Sequence, residues 1–154
     1  MDVVPDEGFE RSFLPAYALV RSILYSDYDR KNAKYSKTQI AILATLCWQN
    51  EICMSRMAEL ISTPRPQMTR AIIPLVNDGL VERFLDNNNR KLVYIRLTDY
   101  GKQFIRNYLH GRFETLREKI NEEEAERLSC AAQTIVEILK KNVMNDKPCS
   151  RPPL

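Results

Sequence analysis

The 154-residue chain is short of several things, and each shortage closes off a class of function. It has one histidine, His110, and no Cys-x-x-Cys pair, so the clustered donors of a zinc site are missing. Its four glycines form no phosphate-cradling loop, and no nucleophile stands beside a base in any enzyme motif. No enzyme activity, cofactor or bound metal is therefore expected. Long apolar runs are absent too: the longest, Ile40 to Trp48, is broken by Thr45 and falls short of a membrane span. The acidic start, Met1-Asp2-Val3-Val4-Pro5-Asp6-Glu7, lacks the basic region of a secretory signal. A reducing cytoplasm is the expected compartment, and there Cys47, Cys53, Cys130 and Cys149 are not expected to form a disulfide framework. Cys47, on an apolar helical face, reads as a buried, inert thiol.

What is present fits one soluble domain with added helices: 44% hydrophobic and 28% charged residues suffice for a real core. The net charge of +3 is small but unevenly placed. Residues 55–102 carry eight Lys/Arg against five acids, so the whole excess sits there and the flanks balance. A contact with a polyanion is expected in the middle of the chain.

Phe13, Tyr17, Val20 and Leu24 recur at helical spacing, with Ser12 as cap and Pro15 in the first turn. Ser36 and Gln39 have capping-box spacing and open a second helix with Ile40, Leu43, Leu46 and Cys47 inward. Gln49-Asn50-Glu51 reads as a turn, and Ser55 as the cap of a short helix, Arg56 to Ile61. Thr63-Pro64 predicts the start of a fourth helix that bends at Pro74 and stops at Gly79. Two short helices joined by a tight turn are the skeleton of a helix-turn-helix. Leu80 to Asp86 and Lys91 to Leu97 then alternate as strands around Asn87, Asn88 and Asn89, which makes a hairpin, or wing. Thr98 caps a long helix carrying Phe104, Ile105, Tyr108 and Leu109. Asn121 caps a last one, with Leu128, Ala131, Ile135, Ile138 and Leu139 expected to be buried. Residues 144–154, with three prolines, predict a disordered tail.

This order resembles the MarR family over roughly residues 10–142. The resemblance rests on Gln39 to Leu43, Met57-Ala58-Glu59-Leu60, Met68-Thr69-Arg70 with Leu75, Asp78-Gly79-Leu80-Val81-Glu82-Arg83, Asp86 with Arg90, and Leu97-Thr98-Asp99-Tyr100-Gly101-Lys102. The expected fold is mainly α with a small antiparallel β-hairpin wing: a winged helix-turn-helix between N- and C-terminal dimerisation helices. The expected divisions are 1–34 and 101–143 for dimerisation, 35–100 for the winged lobe and 144–154 for the tail. The resemblance implies a sequence-specific regulator of transcription, a repressor, that binds double-stranded DNA.

Arg65, Gln67, Met68, Thr69 and Arg70 lie in the first two turns of the fourth helix, where a recognition helix meets base edges, with inward packing the alternative for Met68. Arg65 and Arg70 are the foremost candidates, because arginine pairs bidentately with guanine. Arg90 matches the family's wing-tip arginine, braced by Asp86, while Arg83 and Lys91 suit phosphates. The bland alternative is that Arg83 and Arg96 merely solvate the hairpin. The apolar excess at Phe13, Tyr17, Leu128, Ile135 and Ile138 predicts a homodimer on a pseudo-palindromic operator. The resemblance also implies release by a small aromatic or anionic effector, or by an oxidant. Tyr17, Tyr25, Tyr28, Trp48, Phe104 and Tyr108 are the candidate pocket. A winged-helix module that binds protein instead of DNA is the competing reading.

Overall fold

The computed structural model describes residues 7–26 and 33–144. In chain order its elements are α1 (Glu7–Tyr25), α2 (Lys37–Trp48), β1 (Glu51–Cys53), α3 (Met54–Leu60), α4 (Arg65–Asn77), β2 (Val81–Leu85), β3 (Val93–Leu97), α5 (Asp99–Arg117) and α6 (Glu122–Leu139). α6 runs on into a π-helical turn, Lys140–Met144. The expected tail, Met144 aside, lies outside the described residues, as does Tyr28.

The winged lobe is built around α2 and α4. Ile42, Leu43 and Leu46 of α2 meet Met68, Ile72 and Leu75 of α4, with Met57, Leu80, Ile95 and Ile105 completing the core. The predicted capping box at α2 forms: Ser36 Oγ accepts from the Gln39 N–H at 3.2 Å, and Gln39 Oε1 accepts from the Ser36 N–H at 2.8 Å. Gln39 is the one buried polar residue among those described, and its Nε2 donates to the Ala71 carbonyl of α4 at 3.1 Å. A second tie joins the far end of α4, where Tyr35 Oη donates to Asp78 at 2.6 Å and Lys34 pairs with Asp78 at 3.3 Å.

α4 stops in a Schellman motif. Gly79 takes φ +71°, and the N–H groups of Gly79 and Leu80 return to the carbonyls of Val76 and Leu75 at 3.0 and 2.9 Å. α3 ends the same way, but with Ser62 at φ 51° in the left-handed position. Ser62 and Thr63 then donate to Glu59 and Ala58 at 3.1 and 2.8 Å. Gly101 sits where α5 crosses Leu80, so close that a Cβ would stand 2.0 Å from the Leu80 carbonyl oxygen.

The structure corrects several expectations. The sheet has three antiparallel strands in the order β1-β3-β2, because Glu51–Cys53 is a strand that pairs Ile52 with Ile95. Three residues are too few to show a period. α1 begins at Glu7, with Pro15 inside it, and Ser12 Oγ donates to the Gly8 carbonyl at 2.8 Å instead of capping. α3 starts at Met54, ahead of Ser55, and α4 is preceded by Pro64 with no side-chain cap, Thr63 Oγ1 donating to the Ile61 carbonyl instead. α6 buries nothing within the chain: Leu128, Ala131, Ile135, Ile138 and Leu139 are all exposed. Cys47 is exposed too: it repeats the angular position of Leu43 one turn on, but it lies in the last turn of α2, where its neighbour Trp48 is exposed as well. Partial burial still pushes its thiol up, against the opposing pull of Arg106. Cys53 is buried and disulfide-bonded, contrary to the expectation of unbonded thiols.

Candidate nucleic-acid interface

The faces of α4 sort its side chains by task. Met68, Ile72 and Leu75 recur every third or fourth residue and lie in the core. Met68 is 1% exposed, so it leaves the set of surface candidates and anchors the helix instead. The opposite ridge is Pro66, Arg70 and Ile73, all exposed, with Ile73 at 47% unusually open for an isoleucine. Arg65 and Thr69 stand on the flank towards the wing, and Gln67 on the flank towards α2. Thr69 Oγ1 donates to the Arg65 carbonyl at 3.2 Å, an internal helix bond that fixes its rotamer.

The wing is shaped by its asparagine-rich loop. Asp86 Oδ1 accepts from the Asn88 N–H and Asn89 Oδ1 from the Lys91 N–H, each at 3.1 Å. Asp86 thus shapes the loop through its backbone, and Arg90 projects exposed from the tip. Ion pairing separates the cations of this region. Arg96 pairs with Glu82 across β2 and β3 at 2.5 Å and lies over Phe84, so its charge is compensated within the hairpin. Arg56 pairs with Glu59 at 2.8 Å. Arg65, Arg70, Arg83, Arg90 and Lys91 have no ion-pair partner among the described residues. Five uncompensated cations on α4 and the wing give the lobe a positive face.

Among the described residues the aromatic candidates fall in different places. Tyr17 and Tyr25 line a hollow of about 320 Å³ between α1 and α2, with Leu24 and Lys37, whose Nζ is 5.1 Å from the centre of the Tyr25 ring. Trp48 lines a separate apolar hollow of about 260 Å³ against Leu60, Val136 and Leu139. Phe104 packs edge-on against Tyr35 at 5.2 Å and stacks on Tyr108 at 6.5 Å, so both belong to the core margin. The Tyr108 hydroxyl is buried without a hydrogen-bond partner among the described residues. Among the described residues no group of three or more His, Cys, Asp or Glu is placed to hold a metal, and no helix is long and apolar enough to cross a membrane.

The sequence reading missed Pro66, Ile73, Lys37 and Ser55 as surface residues around α4. A helical wheel phased on Met68, Ile72 and Leu75 places the first two. Lys37 and Ser55 come from other elements and needed the tertiary packing.

These elements define a winged helix-turn-helix lobe carried on two exposed terminal helices. The fold is that of the MarR-type transcriptional regulators, as comparison with solved structures shows. A variant of MepR from S. aureus superposes with a TM-score of 0.68 at 16% identity, covering 82% of this chain and 97% of that one. The transcriptional regulator PA4135 gives 0.59 at 22% identity over 91% and 98% of the two chains. A variant of MarR from E. coli complexed with operator DNA gives 0.50 at 17% identity over 83% and 98%. No protein-family sequence model and no curated protein sequence matches the chain.

Proposed function

We infer that this protein is a sequence-specific regulator of transcription, a repressor, that binds double-stranded DNA through α4 and the wing. The observation that carries this reading is the unpaired set Arg65, Arg70, Arg83, Arg90 and Lys91 on one lobe, while neighbouring arginines are neutralised. Its fold-mate from E. coli is complexed with operator DNA. α4 fits a major groove and Arg90 at the wing tip fits the adjacent minor groove, where narrow width concentrates negative potential.

The functional unit is a homodimer on a pseudo-palindromic site. α6 has no buried residue, and it exposes Leu128, Ile135, Ile138 and Leu139 while α1 exposes Phe13, Leu14, Tyr17 and Val20. Water-exposed apolar area of that extent favours association. Release by a small aromatic or anionic effector is supported by the Tyr17–Tyr25 hollow, which offers a ring face and the Lys37 ammonium together.

Titration of fluorescent duplexes at several salt concentrations tests the reading. Binding falls steeply as salt rises, since each neutralised phosphate releases counterions. Arg90→Ala weakens binding to every duplex and reduces the salt slope by about 1. A chain that ignores duplex DNA at low salt but captures a protein partner would make this the protein-binding module instead.

A further inference from the structure

α4 divides a positive surface into two unequal parts. On its wing side lies a hollow of about 250 Å³ lined by Ser55, Arg65, Arg83 and Lys91, together with the buried Met68. The cations arrive from three places: the first residue of α4, strand β2, and the loop leading into β3. No acidic side chain lines the hollow, and none of the three has an ion-pair partner among the described residues. Cations held together without a counter-charge repel one another, so the arrangement is relieved by an anion. The amino end of α4 adds its partial positive charge at Arg65, with no acidic residue in that first turn.

Dimensions say which anion. An α-helix with its side chains is about 10–12 Å across, and the major groove is about 12 Å wide. A recognition helix therefore fills the groove, its outward ridge towards base edges and its flanks towards the two backbones. Arg65 is on a flank; Pro66, Arg70 and Ile73 are on the ridge.

We propose that the wing-side hollow seats one backbone phosphodiester, held jointly by Arg65, Arg83 and Lys91 with the Ser55 hydroxyl at its edge, and that base reading belongs to Arg70 and Ile73. This rests on the DNA-binding reading above, and it moves Arg65 from base reader to phosphate holder. Arg70 supplies a bidentate fork for guanine, and Ile73, one turn further on, an apolar contact for a thymine methyl.

The test uses the full-length protein, a duplex selected by it from a random pool, and a shuffled duplex of the same composition. Single methylphosphonates, which are uncharged, are walked along each strand. Arg65→Gln, Arg83→Gln and Lys91→Gln each weaken both duplexes by the same factor, to within about twofold, and lower the salt slope by less than about 1, because the two remaining cations still partly neutralise the shared phosphate. The one methylphosphonate that weakens wild type at the seat weakens each of the three variants by a smaller factor, because one of the three contacts is already gone. Arg70→Gln instead relaxes preference at one base pair by roughly 5- to 150-fold. Circular dichroism confirms that each variant is folded. A changed base preference in Arg65→Gln, or sensitivity to three different phosphates, overturns the seat while leaving DNA binding intact. A wild-type chain that binds no duplex at any salt concentration refutes both readings.

Discussion

Two glycines of α5 give opposite answers to the same substitution. At Gly101 a built Cβ stands 2.0 Å from the Leu80 oxygen, 2.8 Å from its carbonyl carbon and 3.1 Å from its Cα. All three are backbone atoms, and that carbonyl already accepts from the Thr98 N–H at 3.0 Å. To accept a methyl group, the start of α5 must retreat by more than an ångström from the joint where α4 ends and the wing begins. Overpacking of this kind costs about 1–3 kcal/mol, and a rigid backbone obstacle places it near the top. Alanine's better helix propensity returns up to about 1 kcal/mol, leaving a net loss of roughly 2 kcal/mol. At roughly 2–4 °C per kcal/mol for a chain of this size, Gly101→Ala melts about 4–8 °C below wild type. Gly111, ten residues along the same helix, meets nothing within 4 Å. Gly111→Ala gains only propensity and melts roughly 2–4 °C higher. Thermal unfolding followed at 222 nm, at one protein concentration, reads both. A Gly101→Ala protein as stable as wild type would show that α5 does not rest on Leu80 as described.

Two further outcomes are expected. The Tyr35 hydroxyl and Lys34 hold the Asp78 carboxyl below its ordinary 3.8, so its contribution to stability is complete above that pH and is lost as pH falls through the lowered value. Asp78→Asn is therefore less stable than wild type near pH 7, and the gap in melting temperature closes in strong acid; a gap constant across that range would refute the assignment. Light scattering on the purified protein gives twice the 18.0 kDa chain mass, and Ile138→Lys, which places a charge on the open face of α6, lowers it towards one chain. A wild-type monomer at micromolar concentration would remove the dimer from the model of action.

The parts legible in the sequence are those fixed by neighbours in the chain. Ser36 with Gln39, Asn121 as a cap, and Gly79 after Asn77 act within a few residues, and all three appear as read, with Glu124 closing a second capping box at Asn121. The alternation Val93, Ile95, Leu97 likewise marks β3. What stayed hidden depends on distant partners or on exceptions to preference. β1 exists because β3 passes beside it more than forty residues later. The turn between α3 and α4 hinges on Ser62 in a left-handed conformation that favours glycine, so composition gave no sign of it. Among the candidate binding residues, the spacing that buries Met68 also sets Arg65 and Arg70 on different sides of α4, a distinction that listing the cations could not make. The aromatic set divided because Phe104 and Tyr108 pack beside Tyr35, whereas Tyr17 and Trp48 line separate hollows.

The Gln39 amide has a mechanical meaning. One end closes the first turn of α2 and the other grips the middle of α4, so tilting either helix alone would strand a buried polar group at a cost of about 1–3 kcal/mol. With Tyr35, just ahead of α2, bolted to Asp78 at the C-terminal end of α4, the two helices turn as a single block. A force on either helix is therefore carried to the other, and the exposed ridge of α4 keeps its place relative to α2.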